Sequence, residues 1–181
     1  MVIPIRFSNH ASRNLPTRDD LDILMNHRGP HPLAPTGSVW NMFDQSSYSQ
    51  LSVDSVVVDW VTVPNNETYY ANDNSGLTTL THTLIRDALD AVDASGVITF
   101  KDFDTDDDDL IDAITFLHSG FAAEFGGSAC DGTQRADRMW SHKWAIYSIP
   151  PWYSSDGVRV YSYHISPGIW GISVSYFCMG L

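Results

Sequence analysis

The chain has 181 residues and a mass of 20.2 kDa, with 43% hydrophobic and 18% charged residues. It fits one domain able to bury roughly 70% of its unfolded surface, and its six Trp, eight Tyr and eight Phe exclude a disordered chain. Ten Lys and Arg against 22 Asp and Glu give a net charge of −12, so nucleic acid and anionic membranes are poor partners. The longest apolar runs, such as Val56–Val58, are far shorter than the roughly 20 residues of a membrane span.

Val2–Phe7 predicts a short strand interrupted by Pro4. Thr17 is placed to cap a helix running from Asp19 to Met25, with acids in its first turn. Three prolines and a glycine make His27–Pro35 a loop. Thr36 or Ser38 can cap a short amphipathic helix carrying Val39, Trp40, Met42 and Phe43. The β-branched, alternating stretch Leu51–Val63 predicts one long strand or two. Asn65–Gly76 reads as a polar loop. Thr78–Ala94 has the clearest 3.6-residue periodicity in the chain, through Leu80, Leu84, Ile85, Ala88, Leu89 and Val92, with Gly96 as its stop. Leu110–Leu117, Met139–Ile149 and Val158–Ile165 predict strands, with a loop over Gly126–Arg135. There is no internal repeat or low-complexity linker. The expected fold class is α/β (α+β), a mixed sheet with flanking helices in one domain.

The acid is unevenly placed. Twenty of the 22 acids are Asp, and only Glu67 and Glu124 are Glu. Seven Asp lie between Asp102 and Asp112, and removing them would move the net charge from −12 to −5. A packed cluster of like charges repels itself, and a bound cation relieves it. Asp104, Asp106, Asp108 and Asp112 occupy positions 1, 3, 5 and 9 of a calcium loop, a spacing that converges hard oxygen ligands on one ion. Asp107 and Asp109 stand where such loops need glycine, a substitution Asp tolerates at some cost. Position 12 is Thr115 rather than a bidentate Glu. The expectation is a strand-flanked calcium loop rather than a helical EF-hand, set against a plain solvated acidic turn.

Two cysteines, Cys130 and Cys178, are too few for a disulfide framework or a four-cysteine zinc site, and their pairing stays open. The seven histidines contain no helical pair able to hold zinc. His27 and His31 have the spacing, but Gly29 and Pro30 lie between them. His118, His142 and His164 fall on predicted strands and are read as core or hydrogen-bonded residues. The role of His142 and of Glu124, metal-related or packed, stays open. No nucleophile elbow or phosphate loop is present. Asn66-Glu67-Thr68 is a glycosylation sequon, meaningful only in a secreted chain. Scarce Lys with abundant Thr, Ser, Asn and Asp leans that way. Met1–Ile5 lacks the charge and the apolar length of a signal peptide, so the expectation is a cytosolic chain or a start within a longer one.

Several stretches, in order, resemble the peptidase M6 domain of the immune inhibitor A-like metallopeptidases. They are His10–Arg13 with Leu15–Thr17, Ala34–Val39, Ser46–Leu51, Trp60-Val61 and Glu67–Ala71, then Phe103–Asp106 and Leu110–Gly120, then Trp140–Ala145 and Tyr163–Pro167. The resemblance runs from about His10 to Gly171, and its most specific parts are the Asp stretch to Gly120 and Trp140-Ser141-His142-Lys143-Trp144. It implies a zincin-like fold, an extracellular location, protein or peptide substrates and a zinc cofactor. It also implies that His-Glu-x-x-His follows Ile165–Pro167, and Ser173–Leu181 does not contain that motif. The expectation is therefore residues 1–181 as one partial domain. It would carry the sheet and calcium loop without the zinc helix, and would be inactive alone. The competing class is a non-catalytic, calcium-dependent extracellular binding module.

Overall fold

The computed structural model describes residues 1–147 and 150–169. Five strands form one mixed sheet: β1 (Val2–Arg6), β2 (Val61–Thr62), β3 (Thr115–His118), β4 (His142–Ala145) and β5 (Ser162–Pro167). Their spatial order is β2-β1-β3-β5-β4. β1 runs parallel to β2 and β3, and β3 parallel to β5, while β4 is antiparallel to β5 at the sheet edge. Among the described residues four helices accompany it: α1 (Arg18–Asn26), α2 (Val39–Ser46), α3 (Glu67–Ala71) and α4 (Leu80–Ser95). This is the mixed α/β sheet with flanking helices that the alternation of patterns predicts.

The capping signals worked because they are local. Thr17 accepts from the Asp20 backbone N–H while the Asp20 side chain accepts from Thr17, and Ser38 and Asn41 do the same for α2. α4 ends at Gly96 with φ 64°, a left-handed cap. Its apolar stripe, Leu84, Ile85, Ala88, Leu89 and Val92, is fully buried. It joins the main core with Ile3, Ile5, Phe116, Tyr163 and Ile165 from one face of the sheet. The other face carries Val2 and Leu117, which pack with Leu21 and Met25 of α1 and with Val57. Beyond them Lys143 and His164 are exposed on that face, beside a groove lined by Leu24, Val39, Met42 and Phe43.

Two expectations fail. The long strand over Leu51–Val63 reduces to β2 and one isolated bridge between Val57 and Val2. On that side of β1 the Val2 N–H donates to Val56 O at 2.8 Å, and Arg6 O accepts from Val63 N at 3.0 Å. Between them stands Pro4, which has no N–H to donate, so the ladder is interrupted there. Asn65–Gly76 is not all loop, because Asn66 caps α3 by accepting from Tyr69 N. The helix stops at Asn72 in a left-handed conformation, φ 51°. The other strands are shorter than their apolar runs, and Met139, Trp140 and residues 158–161 lie outside the ladder.

Candidate functional site

Two groups of polar side chains stand out, one in the Asp loop and one at the carboxyl ends of the parallel strands. In the loop, carboxylate oxygens of Asp104, Asp106 and Asp108 lie within 4.8 Å of one another, so three of the four expected ligands converge. Among the described residues this is the one such cluster of histidine, cysteine or acidic side chains. The fourth, Asp112, instead accepts from Thr105 N at 3.1 Å and from the Thr105 hydroxyl. Asp107 and Asp109 take φ of 58° and 62°, the left-handed turns their glycine-like positions require.

Asp104 anchors the loop from within. Its buried carboxylate accepts from Asp108 N at 3.0 Å, Asp109 N at 3.2 Å and Lys101 Nζ at 2.9 Å. The bond from Lys101 holds its carboxyl below the usual range. Asp106 shifts the other way, raised chiefly by the charge of Asp108. Lys101 also lies 3.2 Å from Asp109 and 3.8 Å from Asp107, so its ammonium is the loop's built-in counter-ion. Ile111 is buried, and the Ile111 N–H and the Asp109 carbonyl pair with Arg159, which ties the loop to the core.

The second group was not legible as a site. Glu67, the first residue of α3, is 2% exposed. Its Oε1 accepts from Met139 N at 3.2 Å, and its Oε2 faces His10 Nε2 at 3.7 Å. His10 Nδ1 lies 3.0 Å from Ser119 Oγ, which also accepts from Phe7 N at 3.1 Å. Arg13 donates to Ser119 O at 2.6 Å and pairs with Asp131. Arg138, fully buried, donates to the carbonyls of Ala122, Gly126 and Gly127 at 2.7–2.9 Å. Burial pushes Glu67 up to about 8 and His10 down to about 4. The sequence held one clue, since Glu67 is one of only two glutamates.

The other glutamate has a parallel task. Glu124 accepts from Ser141 N at 3.2 Å and from its hydroxyl. The two glutamates thus hold the backbone N–H groups of Met139 and Ser141, just ahead of β4. His142 donates from Nδ1 to Trp140 O at 2.8 Å, which leaves Nε2 to accept from Tyr163 Oη at 3.1 Å. Both residues are packed and hydrogen-bonded. The three strand histidines do not meet: His118 is fully buried at the end of β3, His142 shares its face, and His164 is exposed on the opposite one. The rings of His27 and His31 lie 4.7 Å apart, but in the loop after α1 rather than on a helix. Cys178 lies outside the described residues, and so do Trp170–Leu181 as a whole.

A long helix packs behind a mixed sheet with one antiparallel edge strand, and an acidic loop joins them. Residues 34–168 match the family described as immune inhibitor A peptidase M6, catalytic domain, and the chain belongs to that family. It is 31% identical over 126 residues to immune inhibitor A of Bacillus thuringiensis subsp. alesti. That alignment covers 60% of this chain and 18% of the relative, so the chain spans less than a fifth of the relative's length.

Proposed function

We propose that residues 1–181 are part of the catalytic domain of an extracellular zinc metalloendopeptidase of the immune inhibitor A type, with protein or peptide substrates. The match of residues 34–168 to that catalytic-domain family carries this reading. In this reading β4, the last strand of the sheet among the described residues, offers its edge to an extended peptide, which would add to the sheet as a further strand. No helix among the described residues is long and apolar enough to cross a membrane.

The described residues do not fit zinc. No three His, Cys or acidic ligand atoms converge among them outside the Asp loop, and an all-oxygen set suits a hard cation instead. We therefore assign calcium to Asp104, Asp106 and Asp108, with Asp112 as a fourth ligand once it leaves Thr105, and no chemical step to this polypeptide alone. Calcium titration of the purified chain, followed by calorimetry, is expected to give one site that Asp106→Asn with Asp108→Asn abolishes. Unchanged binding in the double variant, or none in the wild type, removes the calcium assignment. Zinc-dependent cleavage of a chromogenic peptide by the same sample would overturn the expected inactivity.

A further inference from the structure

We propose that Glu67 and His10 are positioning residues for β4: a buried carboxyl and a buried imidazole that latch the segment leading into the edge strand onto the turn that ends β3. The proposal takes the function of β4 from the reading above, but the latch itself is a statement about this chain alone.

The geometry is specific. Glu67 binds the Met139 N–H with one oxygen and faces His10 with the other. Gly120 sits directly over this carboxyl, so close that a Cβ there would lie 1.9 Å from Oε1. Met139 is fastened a second time, its carbonyl accepting from Ala123 N at 3.0 Å, and Trp140 N donates to Ser75 O at 2.9 Å. His10 is tied to Ser119, one residue from Gly120. One carboxyl therefore joins the turn after β1, the turn after β3 and the approach to β4.

Such a group is sensitive to its charge. At 2% exposure an ionised Glu67 loses its hydration, and the neutral His10 does not replace it. The charged groups facing the pair are Arg13 and Arg138, which favour the carboxylate, and Asp131, which opposes it. On His10 itself burial and Arg13 disfavour the charge and Asp131 favours it, and a charged His10 would in turn disfavour one on His118. Burial outweighs them all, and the proton on Glu67 is held up to about 8. The Met139 N–H bond also favours the carboxylate, so ionisation opens the turn only because an exposed Glu67 regains its hydration. Glu124, half-buried on Ser141, is a second tie on the same segment.

The test uses the 181-residue chain. The ring resonances of His10 and the exchange protection of the Met139 amide are followed by NMR between about pH 6 and about pH 9. The expected result is a shift of the His10 resonances with a midpoint near 8, although the imidazole itself stays neutral, with Met139 protection falling by about tenfold per pH unit up to about pH 8 and levelling off above it. Glu67→Gln removes both changes, and Glu124→Gln leaves both. A His10 that titrates near an ordinary imidazole value, a flat Met139 protection in the wild type, or the same fall in Glu67→Gln overturns the proposal. Should Glu67→Gln not fold, the infrared carbonyl band of a buried protonated carboxyl decides on the wild type. Its loss together with Met139 release supports the latch, and its absence at about pH 6 overturns it. None of these readouts involves a peptide or a metal, so a failure here is distinct from a failure of the functional reading.

Discussion

Gly120 leaves no room for a side chain above Glu67: an added Cβ would stand 1.9 Å from the carboxylate oxygen that holds Met139. The oxygen cannot yield without giving up that bond. Gly120→Ala is therefore expected to destabilise the chain by about 1–3 kcal/mol, as overpacking does. In a double-mutant cycle with Glu67→Ala the two costs should not add, because removing the carboxyl opens the space. Additive costs in urea unfolding would show that the contact is not the cause.

The buried titratable groups set a pH optimum. Glu67 is raised to about 8, so the folded chain keeps a proton that the unfolded chain has released, and stability falls as pH rises from about 4.5 to about 8. His10 and His118 are lowered to about 4 and about 3 by burial, so their contribution is present above about 6.5 and lost as pH falls through those values. Between about 4.5 and about 6.5 these histidines, with His82, His142 and His164 also lowered by burial, outweigh one glutamate, and above that Glu67 is opposed by the buried Met1 amino group. Denaturant midpoints measured against pH should peak near about 6.5. A midpoint rising steadily to pH 9 would contradict the Glu67 shift.

Lys101 occupies the side of the Asp loop where a cation would be drawn, 2.9 Å from Asp104. It neutralises part of the cluster and competes with any bound ion. Lys101→Met is expected to tighten calcium binding and to enlarge the calcium-induced rise in Tm. At a concentration one hundred times Kd, that rise corresponds to about 2.7 kcal/mol in either protein. Weaker calcium binding in Lys101→Met would show that the lysine organises the loop instead.

Burial sorts the helix substitutions. Leu89 of α4 is fully buried in the main core, and Leu89→Ala should cost about 2–5 kcal/mol. Leu24 of α1 is 41% exposed, and Leu24→Ala should stay within about 0.5 kcal/mol. Thr17→Ala removes the capping box of α1 and should cost about 1 kcal/mol. Thermal melts of the three variants give the ranking.

The sequence by itself determined whatever depends on neighbours along the chain. The periodicity of α4, the caps at Thr17 and Ser38, the stop at Gly96 and the spacing of Asp104, Asp106 and Asp108 are all short-range signals, and each holds in the fold. From Ala34 to Pro167 the ordered stretches that resemble the M6 family agree with the match over residues 34–168. What lay beyond reach depended on distant partners. Leu51–Val63 has strand composition, but pairing needs donors on β1, and Pro4 withholds one. Asp112 has the spacing of a ligand, yet Thr105 takes its carboxylate. Glu67 falls within Asn65–Gly76, a stretch that reads as polar loop. Only the folding of three segments from residues 10, 120 and 139 around it makes it a buried acid, because burial is set by long-range packing rather than by the residues beside it in sequence.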